Sequence, residues 1–96
     1  MNENEHKVIK IFDGDTFQIE GNWERLGRTG NIVRPYGYDT PEKGHPGYEE
    51  AKQKLTNLLL DKIVTITKER IIDHFGRLIA NVEYNGKDLH EYFKKN

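Results

Sequence analysis

The sequence predicts a small mixed barrel of mainly β structure with some α: five short strands, one central helix and one short C-terminal helix. Several short stretches alternate between apolar and polar residues, which is typical of half-buried strands. A helical spacing of apolar residues dominates one longer segment, and turn-forming residues separate the strands. Because a single helix intervenes between strands, the pattern favours a barrel over a doubly wound sheet.

Three alternating stretches in the first half are predicted strands: Lys7–Phe12, Thr16–Glu20 and Ile32–Tyr38. In the first, the alternation places Ile9 and Ile11 on one face and Val8 on the other. Asp13-Gly14-Asp15 is turn-prone, so the first two strands are expected to pair as an antiparallel hairpin.

The segment 21–31 contains three glycines and mixed charge, and the residues leave open whether it is a loop or a long hairpin. Trp23 lies in this segment. Packing over the barrel is the expected role of its ring, with stacking on a nucleotide as the alternative. Pro35, inside the third predicted strand, indicates an edge or a bulge.

The second half contains two predicted helices and two predicted strands: helix Tyr48–Leu60, strands Ile63–Lys68 and Leu78–Tyr84, and helix Leu89–Lys95. The first helix is indicated by Ala51, Leu55, Leu58 and Leu59, which lie on one helical face. The short final helix is expected to begin with a capping box at Asp88-Leu89-His90-Glu91.

Composition excludes several classes of protein. The chain has 96 residues, which predicts one domain spanning 1–96. Its net charge of −1 argues against a protein that coats nucleic acid through a broad basic surface. The absence of cysteine excludes thiolate metal sites and cysteine catalysis.

The chain as given is expected to be cytoplasmic. Its N-terminus, MNENEHK, is polar and acidic where a signal peptide would be basic and then apolar, so secretion would require a leader that has been removed. Because no apolar run approaches membrane-spanning length, no membrane partner is expected. The sequence leaves the oligomeric state open between monomer and dimer.

Four carboxylates at predicted strand ends and turns are candidate metal ligands or catalytic groups: Asp13, Asp15, Asp39 and Glu42. Each pair also has a simpler interpretation, because Asp13-Gly14-Asp15 and Asp39-Thr40-Pro41-Glu42 are plausible turns whose side chains bond their own backbone. Carboxylates that converge repel one another by roughly 1 kcal/mol at 4 Å in water and about 4 kcal/mol at an effective dielectric of 20, and a divalent cation reverses that sign.

Arg34 and Arg77 are the candidate phosphate-binding groups. A guanidinium donates paired hydrogen bonds to a phosphate and stays charged at any relevant pH. The alternative is ordinary surface ion pairing, worth roughly 0–1 kcal/mol. Spacing along the chain does not establish that these side chains converge with the carboxylates.

At these residues the chain resembles the staphylococcal (micrococcal) nuclease family, also called thermonucleases. The resemblance rests on FDGDTF at 12–17, VRPYGYDTPE at 33–42, the Tyr48–Leu60 helix with Glu50-Ala51, and DHFGRLIANV at 73–82. These segments occur in the family's order and cover nearly the whole chain. The resemblance implies an OB-fold, a five-stranded Greek-key barrel with packed helices. It also implies Ca²⁺-dependent hydrolysis of DNA and/or RNA that leaves 3′-phosphates.

The resemblance also implies roles for individual residues. Asp15 and Asp39 match the metal-ligating carboxylates, and Thr40 matches the position whose backbone carbonyl binds the ion. Asp13 matches the nearby acidic partner in the outer shell.

The catalytic positions match as well. Glu42 matches the proposed general base, and Arg34 and Arg77 match the two phosphate-holding arginines. Phe75 stands where the prototype has a tyrosine and keeps an apolar ring for a base. The nearby His74 is a further candidate substrate contact.

Two competing interpretations differ in how they use these residues. A non-catalytic nuclease-like module, which binds single-stranded nucleic acid or a protein partner, would be expected to lose ligands or arginines. A structural ion-binding domain would leave Arg34 and Arg77 without a purpose. The near-neutral charge predicts weaker binding to polyanions than in the strongly basic prototype.

Overall fold

The computed structural model describes residues 3–25 and 27–93. Within them the chain forms these elements, in order: β1 (Glu5–Asp13), β2 (Thr16–Arg25), β3 (Arg28–Pro35), α1 (Tyr48–Leu59), β4 (Ile63–Ile72), β5 (Leu78–Tyr84), β6 (Lys87–Asp88) and α2 (Leu89–Phe93). No helix in these two ranges is long and apolar enough to cross a membrane.

The first five strands close into a barrel. β1 pairs antiparallel with β2 and β4, β2 with β3, and β4 with β5. A parallel pairing of β3 with β5 completes the circle, with Val33 opposite Leu78 and Arg34 opposite Ile79. The two-residue β6 extends the edge of β5. The predicted OB-fold barrel with two short helices is therefore confirmed.

One core fills the barrel and continues under α1. Its members are apolar side chains from all five barrel strands and both helices: Val8, Ile11, Phe17, Ile19, Trp23, Val33, Leu55, Leu59, Val64, Ile66, Leu78, Ala80, Val82 and Leu89. Burying one large apolar side chain contributes about 1.5–3 kcal/mol, so the strand alternation and the α1 stripe together determine which way each element faces. The predicted inward faces of α1 and β5 are confirmed at Leu55, Leu59, Leu78, Ala80 and Val82.

The predicted facing of β1 is wrong. Val8 and Ile11 are buried, whereas Ile9 is 40% exposed. The pairing with β2 shifts register between Val8 and Lys10, as at a β-bulge. Because a bulge inserts one residue, the alternation read from the sequence changes phase in the middle of the strand.

Within the segment 21–31, residues 23–25 pair with residues 28–30 as a long hairpin rather than a loop, and β2 continues to Arg25. Trp23 packs into the core, and its Nε1 donates to the Ile32 carbonyl at 3.0 Å. β3 ends at Pro35, so its predicted extension to Tyr38 is wrong. Pro35 is fully buried at that end, and the Tyr36 amide still donates to the Ala80 carbonyl at 2.7 Å.

The helices lie close to their predicted positions. α1 ends at Leu59, one residue early, and β4 continues to Ile72, beyond the predicted Lys68. Asp88 caps α2, because its Oδ1 accepts the amide of His90 at 3.0 Å. The predicted end of the final helix at Lys95 lies outside the described residues.

Candidate active site

One pocket of about 430 Å³ lies where the β1–β2 turn, the segment after β3 and the start of β5 meet. Eight residues line it: Asp13, Asp15, Arg34, Asp39, Thr40, Pro41, Glu42 and Arg77. Seven of them are candidates from the sequence, and Pro41 is the eighth. The fold thus brings together groups that lie as far apart in the chain as Asp13 and Arg77.

The β1–β2 turn presents two carboxylates. Asp13 Oδ1 accepts the amide of Asp15 at 3.0 Å, so the backbone-bonded turn considered from the sequence is present. Between them, Gly14 offers its carbonyl to the Tyr38 hydroxyl at 3.0 Å. The turn is therefore held both by its own side chain and by the segment that follows β3.

Arg34 connects the two predicted metal-ligating carboxylates. Its Nη2 lies 3.3 Å from Asp15 Oδ2 and 2.5 Å from Asp39 Oδ1. The Asp15 side chain is mostly buried, whereas that of Asp39 is 83% exposed. A single cationic nitrogen thus lies between two carboxylates that would otherwise repel each other.

Asp15 is the most perturbed carboxyl group of the pocket. Burial, followed by the hydrogen bond to and the charge of Asp13, raises the pKa of Asp15 to about 6. The charge of Arg34 and the amide of Thr40 act in the opposite direction but only in part. The ionised form of Asp15 therefore lacks full compensation from the protein, and an added cation would stabilise it.

Thr40 and Glu42 complete the carboxylate side of the pocket. The Thr40 amide donates to Asp15 Oδ2 at 3.4 Å, and the buried Thr40 Oγ1 has no hydrogen-bond partner among the described residues. Glu42 is exposed, and its carbonyl accepts the amide of His45 at 3.0 Å, so the chain turns back directly after it. The Glu42 carboxylate faces solvent in the pocket lining, where an attacking water could be held.

Arg77 is oriented by its own loop. Its Nε and Nη2 each lie 2.8 Å from Asp73 Oδ2, so two guanidinium nitrogens share one carboxylate oxygen. Asp73 Oδ1 accepts the amides of Phe75 and Arg77, both at 3.0 Å. These bonds fix the loop and the guanidinium at once, and they hold the pKa of Asp73 below its usual value although burial opposes this.

The two predicted substrate contacts lie outside the pocket lining. Phe75 is 71% exposed, and its ring lies 4.0 Å from that of His74 and 5.1 Å from the Arg77 guanidinium carbon, centroid distances in both cases. Both rings are thus on the loop that carries Arg77, and their contact with a substrate stays a prediction.

The donor set suits a hard cation, although the protein alone supplies few ligands. In the ranges 3–25 and 27–93, no three histidine or acidic side chains are grouped closely enough to hold a metal ion. Asp15 and Asp39 converge on one cationic nitrogen, and carboxylate and carbonyl oxygens are what Ca²⁺ prefers. Because Ca²⁺ takes six to eight oxygens, water and substrate would supply the rest of its shell.

Two residues that position groups in this region were not predicted from the sequence. Asp73 positions Arg77, and Tyr38 ties the segment after β3 to the β1–β2 turn. The spacing D-x-x-G-R at 73–77 is a turn signal that could have identified Asp73. Tyr38 carries no such signal, because its hydroxyl bonds a carbonyl 24 residues away.

Comparison with known protein families gives a match over most of the chain. A family model described as staphylococcal nuclease homologue matches residues 31–96. The matched range contains Arg34, Asp39, Glu42 and Arg77, whereas the β1–β2 turn with Asp15 precedes it. No curated protein matches the chain.

Proposed function

The chain belongs to the staphylococcal nuclease homologue family, and from this premise we propose that it is a Ca²⁺-dependent phosphodiesterase. The proposed activity is endonucleolytic hydrolysis of DNA and/or RNA that leaves 3′-phosphates. One observation carries the proposal: a single pocket is lined by four carboxylates and two guanidinium groups drawn from three separate segments of the chain.

The two arginines recognise the phosphodiester. Arg77 is held in a fixed orientation by Asp73, so it can donate paired hydrogen bonds to a phosphate with little loss of side-chain freedom. Arg34 lies across the same pocket beside Asp15 and Asp39. Both guanidinium groups would stabilise the charge that grows on the phosphoryl oxygens in the transition state.

Glu42 is the proposed general base. Two pocket carboxylates, Asp13 and Glu42, form no ion pair among the described residues. Asp13 accepts the Asp15 amide, whereas Glu42 is exposed, so its oxygens are free to accept a proton from water. Its position directly after Pro41 restricts the backbone leading to it.

Asp15, Asp39 and the Thr40 carbonyl would hold the Ca²⁺ ion, with Asp13 in the outer shell. When bound, Ca²⁺ supplies charge neutralisation at the phosphate and a template for in-line attack. For Arg34 this requires an exchange of partners, because its nitrogen now neutralises the same two carboxylates.

The test is cleavage of single-stranded DNA and RNA with Ca²⁺, with Mg²⁺ and with chelator. We expect Ca²⁺-dependent cutting that Glu42→Gln and Arg77→Ala each reduce by about 100-fold or more, the usual scale for losing a transition-state contact. Lys43→Gln is a matched control, because it changes the charge of an exposed residue beside Glu42 that does not line this pocket.

Three outcomes would contradict the proposal. Cleavage that persists in chelator, or that Glu42→Gln and Lys43→Gln affect equally, would exclude the assigned chemistry. Binding of nucleic acid without any cleavage would instead identify a non-catalytic nuclease-like module.

A further inference from the structure

Beside the pocket, on the outer face of the barrel, an exposed aromatic ring is paired with an arginine. The guanidinium carbon of Arg70 lies 4.1 Å from the ring centroid of Tyr36. Tyr36 is 45% exposed, although a tyrosine ring is largely apolar. This Tyr36–Arg70 pair plays no part in the proposed chemistry.

The pair is close to the phosphate-binding side of the pocket. Val33 and Pro35 are buried, so the alternating Arg34 and Tyr36 both face outward. The Tyr36 amide donates to the Ala80 carbonyl of β5 at 2.7 Å, so Tyr36 begins the turn that directly follows β3. Two residues of chain span at most about 7 Å, so the Cα atom of Tyr36 lies within that distance of the Cα atom of Arg34, which is proposed to bind the phosphate.

Neighbouring groups hold Arg70 in place. Asn81 Nδ2 donates a hydrogen bond to Asp88 Oδ2 at 3.1 Å, which orients the Asn81 amide. Asn81 Oδ1 then accepts a hydrogen bond from Arg70 Nε at 2.9 Å. The carbonyl of Arg70 accepts Arg25 Nη2 at 3.0 Å. The side chain is thus oriented from one side and its backbone is tied from the other.

A bulge in β4 aims Arg70 toward Tyr36. Glu69 pairs with Ala80 and Ile71 with Ile79, so Arg70 is the extra residue between two ladder pairs. Bulges commonly redirect a side chain near functional sites. Arg25, Arg34 and Arg77 each contact a carboxylate. The Arg70 guanidinium instead contacts the side-chain amide of Asn81 and the ring of Tyr36. Its positive charge is therefore not neutralised by a carboxylate within the described residues.

We infer that Tyr36 and Arg70 form a stacking platform for a nucleobase of a single-stranded nucleic acid, next to the nucleotide whose phosphate occupies the pocket. The inference rests on the proposed function for the strand's position in the pocket. Bases stack on aromatic rings and on arginine planes without regard to sequence, and a free guanidinium charge also attracts the neighbouring phosphate. The platform would lengthen the bound segment beyond the reacting phosphodiester.

The test compares the binding of two fluorescently labelled ligands, a nucleoside monophosphate and an eight-nucleotide single strand, in chelator so that no Ca²⁺-dependent cleavage consumes the strand. Tyr36→Leu and Arg70→Gln are expected to weaken the binding of the eight-nucleotide strand by about 5- to 30-fold, since stacking contributes on the order of 1–3 kcal/mol per base. Their effect on the nucleoside monophosphate, which lacks the neighbouring base, should stay within about 2-fold. Tyr36→Phe keeps the ring and should bind as the wild type does.

Arg28→Gln is the matched control, because it removes one exposed arginine charge at the start of β3, the end of the strand opposite to Tyr36. Replacing each nucleotide of the long strand in turn by an abasic one provides a second control. At one position the abasic change should weaken binding to the wild type but not to Tyr36→Leu. Thermal melting establishes that each variant is folded.

The platform would be disproved by equal losses for Arg28→Gln and Arg70→Gln, by a strand that binds Tyr36→Leu normally, or by a wild type that binds no strand. The proposed function fails separately. Abasic-sensitive binding without cleavage supports the platform and contradicts the nuclease, whereas cleavage with binding insensitive to Tyr36 and Arg70 does the reverse.

Discussion

The two arginines of the pocket are supported in different ways. Arg77 forms an ion pair with Asp73, four residues earlier in the same loop, through two guanidinium nitrogens. The Asp73 carboxylate also accepts hydrogen bonds from two backbone amides. Arg34 bonds Asp15 of the β1–β2 turn and Asp39, five residues later in its own segment, and these two carboxylates are the proposed Ca²⁺ ligands. The Arg77 guanidinium is thus held by its own loop, whereas the Arg34 guanidinium lies between the two carboxylates that are proposed to bind Ca²⁺.

The two aspartates that pair with these arginines differ in the same way. Desolvation outweighs the help from Arg34 and raises the pKa of Asp15 to about 6. For Asp73, the hydrogen bonds from the Arg77 amide and guanidinium outweigh desolvation, so its pKa is lowered. Ionised Asp73 therefore stabilises the fold, whereas ionisation of Asp15 destabilises it.

The largest expected effects compare Arg34→Ala with Arg77→Ala. Each should reduce cleavage by about 100-fold or more, since each removes a positively charged side chain that is proposed to contact the phosphate. Their effects on Ca²⁺ binding should differ. Arg77→Ala should leave the affinity unchanged, whereas Arg34→Ala should increase it, because two carboxylates lose a competing cation. Calorimetric titration with Ca²⁺ measures both affinities, and an equal change in the two variants would remove the distinction.

Asp15→Asn and Asp73→Asn should change stability in opposite directions in chelator at pH 7. Asp15→Asn removes an ionised group whose pKa is raised, so we expect a gain of roughly 1–3 kcal/mol. The raised pKa means that wild-type stability from Asp15 falls as the pH rises from about 4 to about 6, so the gain should vanish below pH 4.

Asp73→Asn should cost about 1–3 kcal/mol at pH 7, because charge-assisted hydrogen bonds are lost. Asp73 has a lowered pKa, so its contribution is present above the ordinary value and is lost as the pH falls through the lowered one. Urea unfolding at a series of pH values measures both variants. Parallel pH curves for the two would show that their environments are alike.

Two glycine substitutions compare the β1–β2 turn with the loop that carries Arg77. A Cβ on Gly14 would lie 2.7 Å from Ala51 Cβ and 2.8 Å from Thr40 Cγ2, so Gly14→Ala is expected to cost about 1–3 kcal/mol through crowding. Gly76 has open space around it but a φ of +82°, so Gly76→Ala should cost about 1 kcal/mol through backbone strain alone. Thermal unfolding ranks the two, and a reversed order would show that the β1–β2 turn adapts more easily than its packing indicates.

The smallest expected effect is that of Tyr38→Phe. The change removes one hydrogen bond to the Gly14 carbonyl and should cost about 1 kcal/mol of stability. The stacking of the ring on Phe93, with centroids 4.4 Å apart, should persist. Urea unfolding measures the loss, and a variant as stable as the wild type would show that water replaces the hydroxyl.

Local pattern was sufficient for most of the fold. Alternation identified the strands, and the Leu55–Leu59 stripe identified α1, because burial of apolar surface follows a simple period. The errors occurred where the period is interrupted, at the bulge after Val8 and at the end of β3. A bulge depends on pairing with another strand, which the local sequence does not encode.

The candidate site was predicted less directly. Residue types and turns marked Asp15, Asp39 and Arg34 as candidates, but their convergence followed only from the family resemblance. The position of Arg34 between the two carboxylates was not predicted, because it depends on distances across the barrel. Asp73 was overlooked although its turn spacing is local.

The parallel pairing of β3 with β5 has a consequence for how the chain folds. It joins residues 45 positions apart, such as Val33 and Leu78, whereas the β1–β2 and β2–β3 hairpins join near neighbours. Closing a long loop costs more entropy than closing a short one, so this contact is expected to form late. Arg34 takes part in that pairing and Arg77 directly precedes it, so the two arginines come together only when the barrel closes. A nascent or partly folded chain would then hold the individual groups of the pocket without the pocket itself.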